Sequence, residues 1–297
     1  MITHTETEIA SQPACWRRAV GETLGDVPAD ALPRPGERVA VVGCGTSWFI
    51  AQTYAVLRER AGHGETDAFA ASEAPAGRSY DRVLALTRSG TTTEVLDLLK
   101  SLKSAAVRTT AITADPDTPV MTLADRAVVL GFADEKSVVQ TRFATTQLAL
   151  LRAHLGEDLT GAIADAERAI AEPLSPEPLS AEQFTFLGSG WSYGLALEAG
   201  LKMREACRAW TEAYPAMEYR HGPISIAGPG RITWMLGEAP EGLRDEVEAT
   251  GGTFLHSPLD PMAELVRVQR VAVARALARG LNPDEPRHLT RSVILSS

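Results

Sequence analysis

Glu198, Lys202 and Glu205 fall at i, i+4 and i+7, so a helix through them carries all three charges on one face. A surface ion-pair stripe would have the same spacing. The stretch Thr211–Pro223 that follows is dense in Glu, Tyr and His, with Glu212, Tyr214, Glu218, Tyr219 and His221, and reads as a loop. Loops on a rigid scaffold are where catalytic groups concentrate. A carboxylate face beside a histidine supplies what proton transfer next to a carbonyl requires: a base for carbon and an acid–base for a ring oxygen.

Two other segments could hold an anion. Gly43-Cys44-Gly45-Thr46-Ser47 puts two glycines where the backbone must turn tightly. Two hydroxyls follow at the amino end of a helix, where free N–H groups favour negative charge. Thr46 or Ser47 acting only as a helix cap is the alternative. Thr87-Arg88-Ser89-Gly90-Thr91-Thr92-Thr93-Glu94 holds five hydroxyl residues, one Gly and one Arg in eight positions. A phosphate accepts hydrogen bonds from hydroxyls and backbone N–H groups together, so two such loops in one domain point to a monophosphate cradle. The third glycine of a dinucleotide fingerprint is missing, and no Walker loop occurs, so no nucleotide cofactor is expected.

These loops need strands and helices to position them, and the pattern supplies both. Arg38–Val42, Arg82–Leu86 and Thr109–Thr113 read as buried strands, and Ser47–Arg60 and Thr93–Ser104 as helices between them. Cys15–Leu24 reads as an opening helix, and Thr145–His154 and Gly161–Ala171 as two more. The run Glu172-Pro173-Leu174-Ser175-Pro176-Glu177-Pro178 is the linker candidate. Beyond it the pattern restarts with strand Phe184–Leu187, helix Trp191–Ala209 and strand Ile232–Leu236. Gly43-Cys44-Gly45-Thr46-Ser47-Trp48 and Gly188-Ser189-Gly190-Trp191-Ser192-Tyr193 share the form Gly-x-Gly-x-Ser-aromatic, which makes two copies of one α/β fold the economical reading. Strands alternating with helices imply doubly wound, mainly parallel sheets that bind ligands at the strand carboxyl ends.

Composition agrees. A chain of 297 residues, 44% apolar, can fill two cores. Twenty-nine Lys and Arg against 38 Asp and Glu leave a charge of -9, and no basic stretch could neutralise a run of phosphates. Nucleic acid is therefore not an expected partner, and an anionic ligand would be small. Cys15, Cys44 and Cys207 lie far apart with no zinc or disulfide spacing, so no metal is expected and a reducing compartment fits. The start of the chain is polar and acidic, and no run reaches the roughly 18 apolar residues of a membrane span; a cytoplasmic protein is expected.

The residues resemble the SIS (sugar isomerase) family, and within it the isomerase half of glutamine–fructose-6-phosphate transaminases, over almost the whole chain. Cys44-Gly45-Thr46-Ser47 is similar to that family's first phosphosugar loop, Ala71-Ser72-Glu73 to its next strand end, and Thr87–Thr92 to its Ser-Gln-Ser-Gly-Glu-Thr loop. Ser137–Arg142 with Thr145-Thr146-Gln147 resembles its Val-Ala-Ser-Thr-Lys and Thr-Thr-Gln segment. Leu197–Glu205, Glu212–Pro215 and His221-Gly222-Pro223 resemble its catalytic helix and loop, and Asn282–Val293 its carboxyl-terminal tail. The resemblance implies two tandem SIS domains, drawn at residues 1–172 and 179–297. It implies that Ser47, Thr87, Ser89 and Thr92 hold the phosphate of a sugar phosphate, with Cys44, Gly45, Thr46, Arg88, Gln140 and Glu198 around the ligand. Glu205 would move a proton between C1 and C2, Lys202 would support proton handling at C2, and His221 would assist ring opening from the neighbouring subunit of a homodimer.

Several positions depart from the family. Position 2 is Ile2 and no glutaminase domain precedes the repeat, so glutamine is not expected to supply ammonia within this chain. Arg291 stands where the family has a Schiff-base lysine, and a guanidinium forms no such adduct. Arg88 replaces a Gln, and Gln140 and Arg142 replace Ser and Lys, changes expected to add positive charge at the sugar site. The expected activity is aldose–ketose isomerisation, or amino-sugar-phosphate deamination or deglycation, on a hexose phosphate. The alternative is a non-catalytic phosphosugar sensor.

Overall fold

The computed structural model describes residues 2–75, 77–105 and 107–295. Helices α1 (His4–Ala10) and α2 (Gln12–Arg18) run into a π-helical turn at Ala19–Thr23 and a single turn, α3 (Leu24–Asp26). Then follow β1 (Val39–Gly43), α4 (Thr46–Arg60), β2 (Thr66–Ala70), β3 (Arg82–Leu86), α5 (Thr93–Leu102), β4 (Arg108–Thr113), α6 (Val120–Leu123), β5 (Arg126–Val129) and α7 (Arg142–His154). After α8 (Thr160–Ala171) and the turn α9 (Glu177–Ser180) come β6 (Gln183–Gly188), α10 (Ser192–Cys207), β7 (Trp210–Pro215), β8 (Arg231–Leu236), α11 (Leu243–Glu248), β9 (Thr253–His256) and α12 (Pro261–Ala278).

The strands form two parallel sheets flanked by helices, ordered β2-β1-β3-β4-β5 and β7-β6-β8-β9. In both, the first strand of the set sits inside, its second lies at the edge and its third lies on the other side. The chain therefore reverses direction between β1 and β3, and again between β6 and β8, and the crevice at such a reversal is where open α/β sheets receive ligands. Every residue of β1, β3 and β6 is buried, as strands covered on both faces must be.

Two compact units result. One comprises residues 14–135, 142–159 and 290–297, and the other residues 1–13, 136–141 and 160–289. They differ from the contiguous 1–172 and 179–297 domains expected from the sequence. Helix α8, expected with the first domain, packs on α12, as does α1. The tail after Leu289, expected with the second, joins the first unit. Ala40, Val42, Val83, Ala85, Val95 and Leu99 centre one core, and Leu187, Tyr219, Met235, Leu243, Val247 and Phe254 another.

The expected loop Thr211–Pro223 needs correction: its first half is β7, paired with β6 from Gln183↔Trp210 to Gly188↔Pro215. The opening helix is also not continuous, because α2 ends at Arg18 and gives way to the π turn.

Candidate functional site

In the first unit, the expected anion loops follow β1 and β3, the two strands that flank the reversal. Gly43 packs so closely on the start of α4 that a Cβ there would lie 2.6 Å from that of Ser47. Thr46 and Ser47 are buried, and Gly45, not a hydroxyl residue, is the N-cap of α4. In the second loop, Gly90 has φ +64° and a Cβ there would meet Thr118 Oγ1 at 2.1 Å, so only glycine fits. The Gly90 carbonyl accepts from Val120 N–H at 3.2 Å, and Ser89 Oγ accepts from Thr91 N–H at 3.2 Å. Thr92 is the N-cap of α5, yet its side chain makes no capping bond. The Thr87 hydroxyl is buried and has no hydrogen-bond partner among the described residues. Neither hydroxyl is used as a helix cap, and the buried Thr87 hydroxyl is left open to water or a ligand.

The carboxyl-terminal tail lies along the same loop. Thr91 Oγ1 is 2.9 Å from Ser292 Oγ, Thr93 N–H donates to the Val293 carbonyl at 3.1 Å, and Leu295 N–H donates to Thr93 Oγ1 at 2.9 Å. One amide at the start of α5 is thereby satisfied by the tail.

Arg88 and Arg142, expected to add positive charge at the sugar site, are compensated instead, and so is Arg291. Arg88 Nη1 lies 3.3 Å from Glu135 Oε2, and Nη2 donates to the Arg291 carbonyl at 3.1 Å. Arg142 N–H donates to Glu135 Oε1 at 2.8 Å, and its Nε to the Asp134 carbonyl at 3.0 Å. Arg291 binds the Asp134 carboxylate and the Glu135 carbonyl. Residues 134–135 thus gather all three. Asp134 and Glu135 escaped the sequence reading, since neither carries a motif signal. Burial, followed in importance by nearby Glu94, raises the Cys44 pKa and holds that residue in the loop as a neutral thiol.

In the second unit, α10 brings Glu198, Lys202 and Glu205 together. Lys202 Nζ lies 3.3 Å from Glu198 Oε1 and 2.5 Å from Glu205 Oε2. The side chains of Glu198 and Lys202 are 0% and 1% exposed and that of Glu205 19%, so this is not a surface stripe. One ammonium serves two carboxylates in a low-dielectric setting, and Glu205 is the acid that reaches solvent. His221 ends a 3-10 turn, Glu218–His221, and is exposed. Gln140, assigned to this unit, is nine-tenths buried and its Nε2 has no acceptor among the described residues.

The repeat keeps the second Gly-rich turn but not its chemistry. Ser192 Oγ accepts from Ser189 N–H at 2.9 Å and donates to the Leu236 carbonyl at 2.8 Å, tying the turn to the end of β8. The segment after β8, Gly237-Glu238-Ala239-Pro240-Glu241-Gly242, has two acids and no hydroxyl, so the hydroxyl pattern of Thr87–Glu94 is not repeated there.

Comparison with known proteins agrees with this layout. Residues 34–155 match the SIS domain family. The glutamine–fructose-6-phosphate aminotransferase (isomerizing) of Gloeobacter violaceus is 28% identical over 96% of this chain and 58% of its own length. The chain thus spans a little over half the length of the curated relatives it matches. The crystal structure of glucosamine-6-phosphate deaminase from Thermotoga maritima superposes with a TM-score of 0.82 at 27% identity, covering 99% of this chain and all of that one. The C-terminal domain of glucosamine-fructose-6-phosphate aminotransferase from Francisella tularensis shares the fold, with a TM-score of 0.80 at 21% identity over 96% of this chain and 99% of its own. The match to the SIS domain family falls on the five-stranded parallel sheet, whose strands β1 to β5 all lie within residues 34–155.

Proposed function

We propose that the protein is an enzyme acting on a hexose phosphate, either as an aldose–ketose isomerase or as an amino-sugar-phosphate deaminase or deglycase. The observation that carries this reading is the buried Glu198–Lys202–Glu205 group, whose outer acid remains open to solvent. Ser47, Thr87, Ser89 and Thr92 bind the phosphate through hydroxyls, and the orphaned Thr87 hydroxyl supports that role. Glu205 removes a proton from one carbon beside the carbonyl and returns it to the next, while Lys202 fixes the carboxylate. His221 assists ring opening, from the neighbouring subunit of a homodimer. The likeness at 27% identity to a glucosamine-6-phosphate deaminase favours an amino-sugar phosphate as substrate. The second SIS repeat, the cytoplasmic setting and the absence of a nucleic-acid partner belong to the same reading.

One observation favours the sensor alternative. Arg291, at the family's Schiff-base position, is bound to Asp134 and Glu135 and offers no amine. A thermal-shift panel of hexose phosphates and amino-sugar phosphates identifies the ligand, because binding only the folded state raises its stability. Solvent deuterium incorporation with each ligand found then separates the two. Exchange beside the carbonyl supports the enzyme, and binding without exchange across the panel supports the sensor.

A further inference from the structure

A cavity of about 370 Å³ in the second unit lies between α1, the end of α8 and the last two turns of α12. That volume is within the range of small-molecule pockets, roughly 300–1,000 Å³. Ile9, Ile170, Leu174, Val273, Ala274 and Leu277 make its walls apolar. Two charged side chains reach it, Glu6 and Arg270. The Glu6 carboxylate accepts from the N–H and hydroxyl of Thr3 at 2.8 and 2.9 Å, which closes the capping box of α1.

Arg270 is held differently. Its Nη1 donates to the carbonyls of Ala169 and Glu172, the latter at 2.8 Å, and so fixes the guanidinium at the end of α8. Its Nε and Nη2 have no protein acceptor among the described residues. Those two N–H groups form one edge of the guanidinium, the fork that receives a carboxylate through two parallel hydrogen bonds. The lining thus includes a half-buried guanidinium held by Nη1, with an unbonded Nε–Nη2 edge, among apolar side chains and the Glu6 carboxylate. With the Glu6 carboxylate held by Thr3, Arg270 is the one cation on the lining, and a dianionic phosphate would remain under-compensated there.

We propose that this cavity binds a small monocarboxylate with an apolar body, an aliphatic or aryl acid whose carboxylate sits on the Nε–Nη2 edge of Arg270. Its hydrocarbon part lies along Ile170, Val273 and Leu277. Calorimetry on the full chain tests this with straight-chain carboxylates of increasing length and the matching alcohols, all below their micelle concentrations. Affinity rises about fourfold per added methylene until the cavity is full. Each acid binds about 10-fold or more tightly than its alcohol. Ala274→Leu adds three carbons to the cavity wall without removing a bond of Arg270 and weakens binding, most for the longest acids, while phosphosugar binding is unchanged. Arg270→Gln removes the preference for the acid; should it fail to fold for want of its bonds to α8, the Ala274→Leu comparison decides. Affinity independent of chain length, equal binding of acids and alcohols, or undiminished binding by Ala274→Leu overturns the proposal. A change in sedimentation caused by Ala274→Leu without any ligand also overturns it, and assigns the cavity to an interface between copies of the chain.

Discussion

The Arg88 guanidinium lies 3.3 Å from the Glu135 carboxylate, with both side chains buried. The one arginine of the Thr87–Glu94 loop is therefore neutralised inside its own unit. Removing one partner of a buried pair leaves an uncompensated charge and costs about 3–5 kcal/mol. Glu135→Gln and Arg88→Gln should each lose stability on that scale in denaturant unfolding, and the double variant should lose less than the sum. Strictly additive losses would mean that the two charges are not coupled.

The loop's hydroxyls, not its arginine, are expected to hold the phosphate. Ser89→Ala should weaken phosphosugar binding by about 1–3 kcal/mol, the range for a lost hydrogen bond to a charged group. Titration calorimetry with the ligand found in the thermal-shift panel measures it, and unchanged affinity removes Ser89 from the site.

Arg291 is occupied by Asp134 and Glu135, and a guanidinium does not condense with a ketose. Borohydride treatment in the presence of ligand should trap no adduct on the tail. Mass spectrometry locates any adduct that does form, and one on Lys202 would show that imine chemistry has moved to α10.

A pH effect is expected at His154, at the end of α7. Burial, then the neighbouring His63, Arg58 and Arg82, lowers its pKa below the ordinary 6.5. Above 6.5 the imidazole is neutral in folded and unfolded chains alike and has no effect. As the pH falls below 6.5 the unfolded chain takes up the proton first, so stability is lost progressively down to the folded pKa. His154→Gln should lose less stability than the natural chain between pH 7 and 5. Parallel pH profiles for the two would show that His154 titrates alike in both states.

Much of the positioning scaffold was legible in the sequence because three inner strands are apolar runs, broken only by Thr185 in the third. Val39–Val42, Val83–Leu86 and Phe184–Leu187 announce themselves in this way. The edge strands do not: β2 and β7 are only half buried, so Thr66–Ala70 and Trp210–Pro215 carry no such run. The face of α10 was read from spacing alone, but its burial was not, since a surface stripe has the same period. Glu135 and Asp134 were invisible because a single acid becomes a partner only when the fold brings Arg88, Arg142 and Arg291 to it. The interleaved units were hidden for a similar reason. The packing of α8 on α12 joins segments about a hundred residues apart, and no local pattern records it.

Subunit sharing has its own test. Chains carrying Glu205→Gln are mixed with chains carrying His221→Ala, and activity is measured after mixed dimers have been shown to form. Partial recovery is expected if each site borrows His221 from its neighbour, and no recovery argues for sites built within one chain.

The central claim is that Glu205 is the base that moves a proton next to the sugar carbonyl. Glu205→Gln keeps the side chain's shape and its place beside Lys202 while removing basicity. The variant should fold and bind the phosphosugar, yet lose solvent deuterium exchange at the carbon beside the carbonyl by about 100-fold or more, the scale of a general base. Full exchange in the variant would contradict the account and place the base elsewhere.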